Sequence, residues 1–101
     1  MADTLKRLAG GTLTNVSATL YTVPSSTTTI IKEVVLCNKT AAAVTATIAF
    51  NSVNVVYGKS IAAYDSLVIP FTSIAHATNV ITGLAGSSSA IDYYISGIEV
   101  V

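Results

Sequence analysis

Charge is scarce in this sequence: Asp, Glu, Lys and Arg make up 10% of 101 residues, against roughly 25% in an average soluble domain. The formal net charge is zero, so no basic footprint for nucleic acid exists, and Lys6-Arg7 is too small to make one. A single cysteine, Cys37, excludes an internal disulfide framework and a multi-cysteine zinc site. Its expected role is that of a small buried hydrophobe. The one histidine, His76 in IAHAT, has no second His or Glu spaced to share a metal with it, and reads as a loop or strand-end residue. Apolar runs such as AAAVTATIAF fall short of the ~18–20 residues of a membrane helix, and LAGG is too short for a signal-peptide core. Synthesis in a cytoplasm without membrane insertion is the expectation.

Hydrophobic residues, by contrast, reach 51%. A chain of 10.4 kDa supports one domain with a thin core, which cannot hide so much apolar surface. Low charge and zero net charge favour association, so a homo-oligomeric or docked subunit is expected.

Thr, Val and Ile dominate, and they pack on a pleated sheet better than in a helix. In Val44–Phe50 the residues Val44, Ala46, Ile48 and Phe50 alternate with Thr45, Thr47 and Ala49, the period of a half-buried strand. The same reading places strands at 5–9, 16–23, 28–38, 43–50, 53–62, 66–72, 78–84 and 90–100. Turn residues separate them at Gly10-Gly11, Pro24-Ser25-Ser26, Asn38-Lys39-Thr40, Asn51-Ser52, Tyr64-Asp65-Ser66 and Gly86–Ser89. About eight short strands without helices define a single all-β domain over 1–101, an antiparallel β-sandwich of jelly-roll type. Pro70 puts its strand at a sheet edge or in a bulge, and Gly58 marks a kink. Near the C-terminus Ile91, Tyr93 and Ile95 are odd-numbered while Ile98 and Val100 are even, which suggests a bulge at Ser96-Gly97.

Val34–Cys37 is apolar on both faces, as in a central strand covered on one side by the core and on the other by a neighbour. Val35 and Cys37 are therefore interface candidates. Of Tyr93 and Tyr94, adjacent residues facing opposite ways, one suits the core and the other an interface. Residues 1–10 read either as the first strand or as an arm hinged on Gly10-Gly11. In the arm, Leu5 and Leu8 would fill pockets on a partner, and Lys6 and Arg7 would meet its acidic groups. No catalytic constellation is present: GSSS and PSS are no nucleophile elbow, Asp65 and Asp92 share no motif, and Asp65 reads as a turn residue accepting backbone N–H groups. No enzyme activity, cofactor or metal is expected.

Three blocks carry a family resemblance: LYTVP at Leu20–Pro24, IIKEVVLCN at Ile30–Asn38 and ISGIEV at Ile95–Val100. Together they resemble small structural proteins of tailed-bacteriophage virions, which share a leader strand, these blocks in this order and a late acidic glycine turn. Here HATN and AGSSS replace that turn. The resemblance implies a virion component, and within that class a head decoration or cement protein. Such a protein would form a trimer on the outer face of the major capsid protein. The alternatives are a tail, neck or fibre component, or a receptor- or glycan-binding jelly roll at a tail tip. The last is poorly served by a chain with no tryptophan and five tyrosines.

Overall fold

A computed structural model describes residues 3–101, without the side chains of Asp3, Thr4 and Lys6. It contains eight strands: β1 (Asp3–Thr12), β2 (Ala18–Thr22), β3 (Thr28–Asn38), β4 (Val44–Phe50), β5 (Val53–Ile61), β6 (Ser66–Ala75), β7 (Val80–Ala85) and β8 (Ile91–Val100). They form two antiparallel four-stranded sheets, ordered β1-β8-β3-β6 and β2-β7-β4-β5. In this order β1 pairs with β8, β2 with β7, β3 with β6 and β4 with β5. The chain is thus one long hairpin, folded at the β4–β5 turn and rolled into two layers, which is the jelly roll. Asn51 and Ser52 make that turn with φ of 49° and 66°, the left-handed pair that a two-residue hairpin needs.

The core lies between the layers. Ile31, Val34, Leu36, Ile91 and Ile95 of the first sheet meet Ala46, Ile48, Ile81 and Ala85 of the second, all of them buried. Phe50 and Phe71 close one side edge to face, their centroids 5.1 Å apart.

Several expectations change at this level. Strand β8 keeps one inward parity throughout, since Ile91, Ile95 and Gly97 are buried and Ile98 and Val100 are not. The extra residues sit on its neighbours instead: the register slips between Arg7 and Ala9 in β1 and between Ile31 and Glu33 in β3. The β3 slip falls where that strand passes from Gly97 to Ser96, and the β1 slip one residue on, between Ser96 and Ile95. Gly97 matters for space, because a Cβ there would collide with the Ile30 carbonyl oxygen and lie 2.9 Å from Leu8 Cδ1. The slip also reverses the parity of β3, so Ile31 and then Val34 and Leu36 face the core.

Gly10 and Gly11 do not end β1. The strand runs through them, paired with Tyr94 and Tyr93, and added side chains there would meet those two rings. Asp3–Thr12 thus forms the edge strand of the first sheet, as an ordinary first strand would, rather than a free arm. Pro70 lies on the opposite edge strand, β6, beside an irregularity in pairing. Gly58 provides the kink in β5, at φ 56°, where its N–H donates to Thr47 Oγ1.

Candidate interaction face

The outward face of the first sheet gathers most of the interface candidates, and strand register shows how. Leu5 pairs with Ile98, Ile98 with Ile30 and Ile30 with Ile74. One row of large aliphatic side chains therefore crosses all four strands, with Leu5 79% and Ile74 63% exposed at its ends. A second row runs Gly10, Tyr94, Val35, Val68, in which Tyr94 is 47% and Val68 56% exposed. Between them lies a mixed row of Arg7, Ser96, Glu33 and Pro70. Beyond the second row comes a polar one: Thr12, Asp92, Cys37 and Ser66. Adjacent strands are ~4.8 Å apart, so each row is a ridge about 15 Å long.

Leu5, Arg7, Val35, Cys37 and Tyr94 meet here, although they are spread over the chain. Arg7 holds its guanidinium carbon 5.9 Å from the centre of the Tyr94 ring, close enough for a cation–π contact. Cys37 is half-buried on this outer face and not in the protein's own core, because the slip at Lys32 turns it outward. Leu8 departs from expectation, and of the two tyrosines Tyr93 is the one that turns inward and leaves the interface to Tyr94. Leu8 is the extra residue of the β1 bulge, and its side chain, like that of Tyr93, packs against the core cluster. The side chain of Lys6 lies outside the described residues. Sequence reasoning missed Ile30, Ile74 and Val68 as part of this face. Their outward alternation was readable, but their alignment across strands was not.

At the polar margin, Asp92 accepts a 2.7 Å hydrogen bond from Thr12 and pairs with Lys39 at 3.1 Å. The Thr12 hydroxyl first, then Lys39, hold its carboxyl below the usual range. A second polar group joins the layers. Tyr21 on β2 donates a 2.5 Å hydrogen bond to Glu99 on β8, and its oxygen lies 3.0 Å from the Thr29 hydroxyl on β3. Burial, then the bond to Glu99, push the Tyr21 phenol up to about 12.

Among the described residues no three His, Cys, Asp or Glu side chains come together as metal ligands, and no helix is long and apolar enough to cross a membrane. His76 sits in an exposed turn, where its backbone N–H donates to Asn79 Oδ1. Asp65 accepts from the Ser66 N–H in the β5–β6 turn, as expected. An open groove of about 520 Å³ between β5 and β6 is lined by Leu67, Ile69, Val56, Tyr57 and Lys59 among others.

No protein-family model matches the chain, and no curated protein matches it. Solved structures do. The core of Drosophila NLP, whose structure was described for insight into pentamer formation and histone binding, superposes with a TM-score of 0.57. The match is at 19% identity over 95% of this chain and 100% of that one. Bacillus endospore appendages, a family of disulfide-linked pili, align at 18% identity over 96% of this chain and 86% of theirs, with a TM-score of 0.49. At such identities the first likeness shows the β-sandwich fold. Neither neighbour is described as an enzyme, and neither is a phage protein.

Proposed function

We propose that this protein is a structural subunit that acts by packing its outer β1-β8-β3-β6 face against neighbours in a particle. The observation that carries this reading is the pair of apolar rows on that face, Leu5–Ile98–Ile30–Ile74 and Tyr94–Val35–Val68. Exposed apolar rows rimmed by polar residues mark interaction sites, and the low charge of the chain does nothing to keep copies apart.

The particle proposed is a tailed-phage virion, with the protein a decoration or cement subunit on the major capsid protein. The support is the resemblance in LYTVP, IIKEVVLCN and ISGIEV, together with a jelly-roll strand order, an architecture that recurs in viral capsid domains. Fold alone does not assign function, so the discriminating quantity is copy number. Quantitative mass spectrometry of purified virions is expected to find the chain at hundreds of copies per particle. A dozen or fewer would move it to the neck, tail or fibre, and its absence from virions would overturn the proposal.

A further inference from the structure

The outer face of the first sheet is complementary to itself, and from this we infer that its occupant is the same face of a second copy, related by a two-fold axis parallel to the strands. This deepens the structural role proposed above by naming the partner, and it depends on that role only in needing a face that assembles.

A two-fold parallel to the strands and centred on the sheet exchanges β1 with β6 and β8 with β3 while leaving each row opposite itself. Leu5 then faces Ile74 of the second copy and Ile98 faces its Ile30, so the first apolar ridge lies on its own mate. In the second ridge Tyr94 faces Val35 of the second copy. The mixed row brings Ser96 opposite Glu33 of the second copy, and that glutamate lies one strand, ~4.8 Å, to the side of both Arg7 and the first copy's Glu33, with the exposed Lys32 of the β3 bulge beside the pair. The contact occurs twice, as two-fold symmetry demands.

Charge favours this axis over the other that would match apolar rows, because here the two glutamates are offset by a strand and each has an Arg7 at the same offset. A two-fold across the strands, centred on the mixed row, would also lay one ridge on the other. It would, however, stack Arg7 on Arg7 and Glu33 on Glu33, and like-charge juxtaposition across an interface is strongly disfavoured. The area suffices as well. Four strands and the length from Asp92 to Val100 outline about 20 by 27 Å, or roughly 1,000 Å² over both copies. That reaches the lower bound for a specific interface. A face that maps onto itself closes at two copies, so the elementary contact is a dimer rather than the trimer implied by the family resemblance.

The single native cysteine gives a direct probe. In this arrangement Cys37 of one copy lies one strand to the side of Cys37 in the other, and both point into the ~10 Å gap between packed sheets. The experiment uses the full chain in multi-angle light scattering and in cross-linking with a bis-maleimide of ~8 Å span. Expected are a mass twice 10.4 kDa and a covalent dimer that Cys37→Ser abolishes. Ile30→Glu, or Val68→Lys if the first variant misfolds, should weaken dimerisation at least tenfold with the circular dichroism spectrum unchanged. Arg7→Glu and Glu33→Arg should each weaken it, and the double variant should restore it. A monomer at 100 µM, or an oligomer indifferent to these substitutions, would overturn the two-fold pairing. If such a monomer still decorates virions, the virion role survives this failure. A face-dependent dimer absent from virions keeps the pairing and refutes that role.

Discussion

Replacing Asn38 tests whether one buried amide holds this end of the sandwich together. Asn38 closes β3 with none of its surface exposed. Its Nδ2 donates to the carbonyl oxygens of Ala42 at 2.8 Å, Ile61 at 3.0 Å and Ala62 at 3.3 Å. Its Oδ1 accepts from the Thr40 N–H at 3.0 Å and the Thr40 hydroxyl at 2.7 Å. One side chain thus ties the β3–β4 loop to the end of β5. Asn38→Ala removes five hydrogen bonds, and because three share two N–H donors and two share one oxygen, each is set at the low end, about 0.5 kcal/mol net. Water can reach the carbonyls of the exposed Ala42 and Ala62, but Ile61 is buried, and its abandoned carbonyl adds about 1–3 kcal/mol. The expected cost is about 4 kcal/mol, a large share of the 5–15 kcal/mol typical of a domain. At this chain length the midpoint of a thermal melt should fall by roughly 15–30 °C. Asn38→Asp should be worse at pH 7, because it sets a carboxylate against three carbonyl oxygens, and should partly recover in acid when the carboxyl can donate. Urea melts followed by circular dichroism measure both. A loss below about 1 kcal/mol for Asn38→Ala would refute the role assigned to this network.

Tyr21 makes stability depend on alkaline pH. Its folded value of about 12 lies above the ordinary 10.0, so its contribution is complete below pH 10 and is lost as pH rises through 12; in urea melts Tyr21→Phe should flatten this decline. Asp92 acts in the opposite sense: its carboxyl is lowered, so its contribution is present above the ordinary 3.8 and lost as pH falls through its folded value, and Asp92→Asn should flatten the acid limb. Gly97→Ala should cost about 1–3 kcal/mol, read as a lower thermal midpoint, because the new Cβ would meet the Ile30 carbonyl. Ser52→Gly should raise the midpoint by relieving a left-handed φ of 66°, a gain of about 0.5–1 kcal/mol after glycine's own entropy.

Much of the fold was legible because it depends on local chemistry. The alternation in Val44–Phe50, the turn at Asn51-Ser52 and the edge position of Pro70 each follow from residue type and spacing alone. The structure places strands at all eight expected positions, with ends shifted by a few residues. What was not legible depends on what lies across the sheet. The odd–even switch after Ile95 is real in the sequence, but it records outward-facing Ile98 and Val100 rather than a bulge, since these residues belong to an exposed apolar row. The slips that matter occur in β1 and β3, opposite Ile95–Gly97, where no local signal marks them. Gly10-Gly11 looked like a turn because glycine ends strands, whereas here the two glycines lie beneath Tyr94 and Tyr93. Asn38 looked like a turn residue, and its burial depends on carbonyls more than twenty residues away. The candidate face was half legible: Val35 and Cys37 announced a strand covered on both sides, but only register joins them to Leu5, Tyr94, Ile74 and Val68.

The most direct measurement of the proposed interaction face is hydroxyl-radical footprinting of the assembled protein against the same chain dissociated by dilution. Tyr57 and Tyr64, 80% and 73% exposed and lying off this face, serve as internal references. Protection of Tyr94, Leu5 and Ile74 on assembly, with Tyr57 and Tyr64 equally reactive in both states, is the expected result. Unchanged reactivity at Tyr94, Leu5 and Ile74, with protection at Tyr57 or Tyr64 instead, would contradict it.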